Sequence, residues 1–219
     1  LKATFLEEEL LANISQQNYF CEPYLTNINY LIKQWQNSSK GIIIAGIDYS
    51  YQPEKYCQAI ANLADLLNLP VLGEALSPIR NYADFNPHLI TTYDHILKYS
   101  ELTEKLIPEV VILIGELPTS KNLRKWLNKL KVKTYIVSKN YDNLDAIHTN
   151  SIHLRTNIEN LMSQINISKS KKNNHSYLEK WLDLENKFCG YINEKMTNIH
   201  NFFEGKVSWL LSQSLPKDT

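Results

Sequence analysis

Cysteine is scarce in this sequence, and its spacing excludes two of the roles that it commonly has. The 219 residues contain three cysteines, Cys21, Cys57 and Cys189, which lie far apart and form no Cys-x-x-Cys pair. An odd number of widely spaced cysteines predicts neither a disulfide framework nor a zinc site. The first residues resemble neither a secretory signal nor a transit peptide, so we expect a protein of the reducing cytoplasm.

The sequence also lacks an excess of charge of either sign and any long apolar run. Lys plus Arg and Asp plus Glu number 23 each, so no overall basic field favours nucleic acid or an anionic membrane surface. No apolar run approaches the roughly 20 residues of a membrane-spanning helix. We therefore expect no nucleic acid and no membrane span. With 43% hydrophobic residues, the chain can bury a substantial core.

Glycine is scarce as well, and the glycine motifs of phosphate-binding loops are absent. The turn at residues 45–50 is Ala-Gly-Ile-Asp-Tyr-Ser, with one glycine and an acid where a phosphate would lie. Dinucleotide-binding domains use Gly-x-Gly-x-x-Gly at this place. Glu74, after the second predicted strand, could bind a ribose or cap a loop. The sequence also contains no Walker lysine loop, no Gly-x-Ser-x-Gly and no His-x-x-x-His, so it predicts no complete catalytic constellation and no metal site.

Five short apolar runs, rich in β-branched residues, predict buried strands. Between them, apolar residues at helical spacing predict helices. Strands that alternate with helices in this way predict an α/β fold, a doubly wound parallel sheet with right-handed crossovers. The predicted strands are residues 41–46, 70–76, 110–114, 133–138 and 151–154, and the predicted helices lie around residues 30–35, 53–67, 91–99, 120–130 and 158–165.

Composition divides the chain into three parts. Residues 1–39 predict a helical or irregular lead-in that includes a short amphipathic helix from Leu6 to Ile14. Residues 40–167 form the predicted α/β domain. Residues 168–219 predict a lysine-rich linker followed by helices rich in aromatic residues. No strand follows these helices, so they either fold back on the α/β domain or pack against something outside this chain.

The turn after the strand at residues 110–114 is a candidate ligand site. Pro118 makes this turn rigid, and Thr119 or Ser120 can cap the helix that follows. In open α/β sheets, ligands bind beyond the carboxyl ends of the strands, near helix N-termini. Lys121 lies in the first turn of the helix, where its charge opposes the helix dipole. It is either a solvated lysine or a cation that reaches an anion outside the helix.

Four segments together resemble one enzyme family. They are Gly-Ile-Ile-Ile-Ala-Gly at 41–46, Leu-Pro-Val-Leu-Gly-Glu-Ala-Leu-Ser-Pro at 69–78, Val-Ile-Leu-Ile-Gly-Glu-Leu-Pro-Thr-Ser-Lys at 111–121 and Leu-Arg-Lys-Trp at 123–126. They are similar to the middle domain of 2-succinyl-5-enolpyruvyl-6-hydroxy-3-cyclohexene-1-carboxylate synthases, especially cyanobacterial ones. These are thiamine-diphosphate enzymes of menaquinone and phylloquinone synthesis. The resemblance covers residues 41–167 and continues more loosely to the end.

This resemblance implies a Rossmann-like middle domain, without the glycine fingerprint, between missing N-terminal and C-terminal domains. Enzymes of this family are homo-oligomers, dimers or tetramers, that decarboxylate 2-oxoglutarate on thiamine diphosphate and Mg²⁺ and add the product to isochorismate. Their cofactor-activating glutamate and Gly-Asp-Gly…Asn-Asn motif belong to the other two domains. Asn173-Asn174 occurs here, but no Gly-Asp-Gly does. The resemblance therefore implies that this chain alone binds no cofactor or metal, contributes no catalytic residue and is inactive.

The resemblance carries one residue of the family's substrate site over to this chain. In the family, a lysine in the turn after the third segment's strand contacts a carboxylate of an anionic substrate, and the matching residue here is Lys121. The neighbouring arginine of the family is Asn122 in this chain. Arg124 or Arg80 could supply the missing charge, and Ser120 lies beside Lys121. These five residues are the expected substrate-binding set.

Two other functions remain open at the level of the sequence. Related middle domains in other thiamine enzymes bind FAD or ADP, so this could be a free-standing nucleotide-binding or regulatory domain. The single glycine in the turn at residues 45–50 is evidence against that function. The chain could also be an interaction module without a ligand, which an exposed apolar surface on the helical tail would indicate.

Overall fold

The fold is known from a computed structural model that describes residues 28–48, 50–142, 145–147, 151–166 and 175–215. Helices and strands alternate through the described residues, as the sequence pattern predicts. In chain order they are α1 (Ile28–Asn37), β1 (Gly41–Ala45), α2 (Pro53–Leu67), β2 (Val71–Gly73), β3 (Leu89–Ile90), α3 (Tyr93–Ile96), α4 (Ser100–Lys105), β4 (Val110–Ile114), α5 (Lys121–Leu130), β5 (Lys133–Val137), β6 (Ser151–Leu154), α6 (Ile158–Ser163), α7 (His175–Asn198) and α8 (Glu204–Ser214).

The six strands form one sheet in the order β3-β2-β1-β4-β5-β6. Every pair of neighbours is parallel. β1 and β4 lie at the centre, and all five residues of each are buried. This burial on both faces explains why the two strands are continuous apolar runs without alternation. The predicted doubly wound parallel sheet is confirmed.

Helices cover both faces of the sheet, because alternate residues of each strand point to opposite sides. On one face, Ile43, Ile112 and Tyr135 pack with α1, α2 and α6. On the other face, Ile42, Val111 and Ile136 pack with α3, α5 and the first turns of α7. Residues from the predicted lead-in and from the predicted tail therefore contribute to the same two core layers as the α/β domain.

The structure differs from the sequence-based prediction in the part of the chain from β2 to β4. β3 was not predicted, since two residues are too few to produce a pattern. The predicted strand at 70–76 is shorter, because the chain turns after Gly73 and the Ser77 N–H donates to the Glu74 carbonyl at 3.1 Å. The single helix predicted at 91–99 is two short helices, α3 and α4.

Some predicted features lie outside the described residues. They are the helix from Leu6 to Ile14, Cys21 and the lysine-rich linker with Asn173-Asn174. In the part of the chain that the structure describes, no helix is both long and apolar enough to cross a bilayer.

Candidate functional site

The turns after β1 and β4 pair with each other at the carboxyl edge of the sheet. The Ile47 N–H donates to the Glu116 carbonyl at 3.1 Å, and the Glu116 N–H donates to the Ile47 carbonyl at 3.0 Å. Two glycines allow this close approach. A Cβ on Gly46 would lie 1.8 Å from the Glu116 carbonyl oxygen, and Gly115 has a φ of +76° and would place a Cβ 2.5 Å from the Ile47 oxygen.

This pairing lies at the place where nucleotides bind in Rossmann-like folds. The direction in which strands are added reverses between β1 and β4, and dinucleotides bind at that switch point in Rossmann-like domains. Here the two backbone hydrogen bonds between Ile47 and Glu116 join the turns across the switch point. The helix after β1 begins at Pro53 without a glycine-rich loop. The geometry therefore argues against a dinucleotide at this position.

The end of β2 is fixed by a buried carboxylate. Glu74 accepts a hydrogen bond from the Ala75 N–H at 2.8 Å and another from the Tyr93 hydroxyl at 3.1 Å. Burial, with a further contribution from the Glu74 carboxylate, raises the pKa of Tyr93, so this hydroxyl remains a donor at neutral pH. Of the two roles that the sequence left open for Glu74, these contacts match the loop cap.

Ser120 caps α5. It is one of the two residues, Thr119 and Ser120, that the sequence predicted as the cap. Its hydroxyl accepts from the Leu123 N–H at 3.1 Å and donates to the Asp94 carboxylate at 2.5 Å. The Asn122 side-chain amide donates to the same carboxylate oxygen at 3.1 Å. Asp94 thus holds the residues on both sides of Lys121. Ser120 and Asn122 are engaged in positioning the helix N-terminus.

The two arginines of the expected substrate-binding set donate to backbone carbonyls. Arg124 donates to the Pro118 carbonyl at 2.7 Å and to the Leu117 carbonyl at 3.0 Å, which closes the turn before α5. Arg80 donates twice to the Gly73 carbonyl, at 2.9 and 3.1 Å, and once to the Thr91 carbonyl at 2.9 Å. Both guanidinium groups therefore join loops at the carboxyl edge of the sheet.

Lys121 differs from these arginines. Its side chain is exposed at the first residue of α5 and forms no hydrogen bond or ion pair with any residue that the structure describes. Its neighbours on both sides are fixed through Asp94. The turn therefore presents an ammonium group at the carboxyl edge of the sheet, where an anion would gain from this charge.

The structure also identifies residues that the sequence analysis missed. Asp94 lies 26 residues from Ser120, and no motif indicates their contact. Glu185 lies on α7 and accepts hydrogen bonds from Thr91 and Thr92. One signal was available for Glu185, because it falls at helical spacing after the buried Tyr177 and Trp181. A carboxylate on an apolar helix face indicates a buried partner.

The described residues do not fit a thiamine diphosphate and Mg²⁺ site. No group of three or more His, Cys, Asp or Glu side chains in the described ranges could hold a metal ion. The Ile47–Glu116 pairing joins the two turns across the switch point, and the sequence contains no Gly-Asp-Gly. No chemical step through that cofactor is assigned to this chain.

Comparison with known proteins points to the same family as the sequence resemblance. A family model described as "Middle domain of thiamine pyrophosphate" matches residues 14–219. Three similar proteins are each named 2-succinyl-5-enolpyruvyl-6-hydroxy-3-cyclohexene-1-carboxylate synthase. The protein of Gloeothece citriformis is 47% identical over 97% of this chain, that of Rippkaea orientalis 43% over 97%, and that of a Nostoc species 40% over 100%. The match spans 38% of the first relative and 37% of each of the other two.

Proposed function

Because this chain belongs to the family of thiamine pyrophosphate middle domains, we propose that it is the middle domain of a longer 2-succinyl-5-enolpyruvyl-6-hydroxy-3-cyclohexene-1-carboxylate synthase. The complete protein decarboxylates 2-oxoglutarate on thiamine diphosphate and adds the four-carbon product to isochorismate. It is a cytoplasmic homo-oligomer and contributes to menaquinone or phylloquinone synthesis. The names of the similar proteins and the fraction of their length that this chain spans support the proposal.

Within the complete protein, this chain supports the structure and contacts a substrate. We assign the binding of thiamine diphosphate and Mg²⁺ to the N-terminal and C-terminal domains, as the family resemblance implies. The cofactor supplies the carbanion chemistry, and the protein supplies position and charge. We therefore expect this chain alone to be inactive.

The contact is made by Lys121, and one observation carries this assignment. Arg80 and Arg124 donate to backbone carbonyls. The Lys121 ammonium has no partner among the described residues, although Ser120 and Asn122 hold the turn on either side of it. A lysine held in this way can bind a substrate carboxylate without giving up a contact within the domain. Its contribution grows when the neighbouring domains exclude water from the pair.

The helical tail supplies the contact with the rest of the protein. Phe202, Leu211 and Leu215 are exposed on or beside α8. Large apolar side chains that cluster on one segment indicate an interaction surface. We assign this surface to packing against the missing domains.

The substitution Lys121→Ala in the complete protein tests the substrate contact. We expect kcat/KM for one of the two carboxylate substrates to fall about 10- to 150-fold, since a hydrogen bond to a charged group contributes about 1.5–3 kcal/mol. Steady-state kinetics with 2-oxoglutarate and isochorismate varied separately would identify the substrate.

Lys125→Ala is the matched control for this experiment. Lys125 lies one turn further along α5 and is also exposed. Lys125→Ala should leave kcat/KM for each of the two substrates within about twofold of the value for the unsubstituted protein, as is usual for a surface residue. Equal effects of the two substitutions, or no effect of Lys121→Ala, would contradict the assignment.

A further inference from the structure

Four consecutive residues at the carboxyl end of β3 connect three separate parts of the molecule. Thr91 and Thr92 donate to Glu185 on α7. Tyr93 donates to Glu74 at the end of β2. Asp94 accepts from Ser120 at the start of α5. We call residues 91–94 the linking segment.

Glu185 holds one side of the linking segment with both of its carboxylate oxygens. Its Oε1 accepts from the Thr91 N–H at 2.9 Å and the Thr91 hydroxyl at 2.5 Å. Its Oε2 accepts from the Thr92 N–H at 2.9 Å and the Thr92 hydroxyl at 2.6 Å. The residue is 9% exposed, so the four donors replace the water that the carboxylate loses. A buried carboxylate with four short contacts fixes a backbone position closely.

Asp94 connects the linking segment to the turn that carries Lys121. One carboxylate oxygen accepts from both Ser120 and Asn122, and the Asp94 carbonyl accepts a further, longer hydrogen bond from Asn122 at 3.3 Å. Ser120 in turn accepts from the Leu123 N–H. The path from α7 to the residues on both sides of Lys121 therefore consists of continuous hydrogen bonds and one peptide segment.

From these contacts we propose that Asp94 and Glu185 are positioning residues for the substrate contact made by Lys121. Asp94 fixes the first turn of α5, and Glu185 fixes the linking segment that carries Asp94. The helix that holds Glu185 is the same helix whose second half leads into the exposed tail. The position of the tail is thus tied to the position of Lys121. The inference rests on the function proposed above for Lys121.

The test uses the complete protein with Asp94→Ala, Asp94→Asn, Glu185→Gln and Lys121→Ala, alone and combined. We expect Asp94→Ala to raise KM for the substrate that Lys121 contacts by about two- to thirtyfold, the range of such couplings, with a smaller change in kcat. Asp94→Asn keeps an Oδ1 acceptor for Ser120 and should retain most of the affinity. Glu185→Gln replaces one carboxylate oxygen with an amide NH₂ group, which faces a threonine N–H and cannot accept from it. KM should therefore rise, but by a smaller factor than in Asp94→Ala.

Two further measurements separate positioning from general stability. In the Lys121→Ala background, the Asp94 and Glu185 substitutions should no longer change KM, because their effect acts through Lys121. Hydrogen exchange of the amides at residues 121–124 should become faster in the Asp94→Ala and Glu185→Gln proteins. Glu179→Gln and Glu101→Gln, which remove exposed carboxylates from α7 and α4, should change neither quantity.

Each other outcome overturns a stated part of the account. If Lys121→Ala raises KM but Asp94→Ala and Glu185→Gln lower only the melting temperature, the positioning role is wrong and the proposed substrate contact stands. If the KM changes persist in the Lys121→Ala background, the two residues act by another route. If Lys121→Ala has no effect on kcat/KM for either substrate, both the substrate contact and the inference that rests on it are wrong. If it lowers kcat/KM through kcat alone, the substrate contact stands and the inferred effect of Asp94 and Glu185 on KM is wrong.

Discussion

The two halves of α7 have similar aromatic content and different surroundings. In the first half, Tyr177 and Trp181 are buried against the sheet, and Trp181 is 0% exposed. In the second half, Tyr191 is 58% exposed, and Phe202, in the loop that follows the helix, is 76% exposed. Aromatic residues occur at comparable density throughout 175–215, so the sequence alone does not separate the halves.

The difference shows that one end of α7 lies in the core of the domain and the other end lies at its surface. The first half of α7 completes the core layer formed with α3 and α5. Beyond Phe188, which still packs against that layer, the second half and α8 present largely exposed apolar side chains such as Tyr191 and Leu211. The sequence left two alternatives open for the tail, folding back or packing elsewhere. The first half folds back, and we assign the second to packing within the longer protein.

The largest expected effect comes from removing the aromatic anchor of the first half. Trp181→Ala should lower the free energy of unfolding of this chain by about 3–5 kcal/mol, because it leaves a cavity in a closely packed layer. Trp209→Ala, on α8, should cost less, because Trp209 is only half-buried and its main polar contact is a hydrogen bond from Nε1 to Asn193 at 3.0 Å. Urea unfolding of the two variants measures the difference, and similar costs would contradict the division of the helix.

A smaller effect is expected from a pair of tyrosines. The Tyr177 hydroxyl is buried and donates to the Leu106 carbonyl at 2.7 Å, whereas Tyr191 is exposed. Tyr177→Phe should lower the free energy of unfolding by about 1 kcal/mol, the net contribution of one hydrogen bond. Tyr191→Phe should leave it unchanged. The same unfolding measurement applies, and a loss in the second variant would indicate that the Tyr191 hydroxyl also has a hydrogen-bond partner.

Gly190 marks the boundary between the halves and predicts a gain. It lies inside the helix, and a Cβ there would meet no atom within 4 Å. Gly190→Ala should therefore stabilise the chain by about 0.5–1 kcal/mol through helix propensity alone. A loss of stability would mean that another group approaches the helix closely at this point. Thermal unfolding would detect either result.

The smallest expected effect is in the exposed tail. Leu211 is 50% exposed on α8, so Leu211→Gln should change the free energy of unfolding of this chain by less than about 0.5 kcal/mol. In the complete protein, where we propose that this surface is covered, the same substitution should lower the melting temperature. An equal, negligible effect in both proteins would contradict the proposed packing of the tail.

The central fold could be predicted because its cause is local. The run Ile42–Ile43–Ile44 and the run 110–114 contain only residues that favour buried strands. Ser120, two residues after Pro118, occupies the position of a helix cap. β3 could not be predicted, since Leu89 and Ile90 become a strand only by pairing with Val71 and Leu72. The extended conformation of β3 therefore depends on its pairing with β2.

The candidate site was predictable only in part. A motif identified Lys121, but the contacts that position it join residues far apart in the sequence. Asp94 and Ser120 are separated by 26 positions, and Thr91 and Glu185 by 94. The roles of Arg80 and Arg124 depend on carbonyls whose directions are fixed by the folded loops. Such contacts follow from the assembled sheet and have no local signature.

The most direct test of the account is the activity of the complete protein that contains this chain. Incubated with 2-oxoglutarate, isochorismate, thiamine diphosphate and Mg²⁺, it should release CO₂ and form the carboligation product, and omission of thiamine diphosphate should abolish both. This chain alone should form no product and should not bind FAD or ADP in a calorimetric titration. Nucleotide binding by this chain, together with no product from the complete protein, would contradict the account and favour a nucleotide-binding domain.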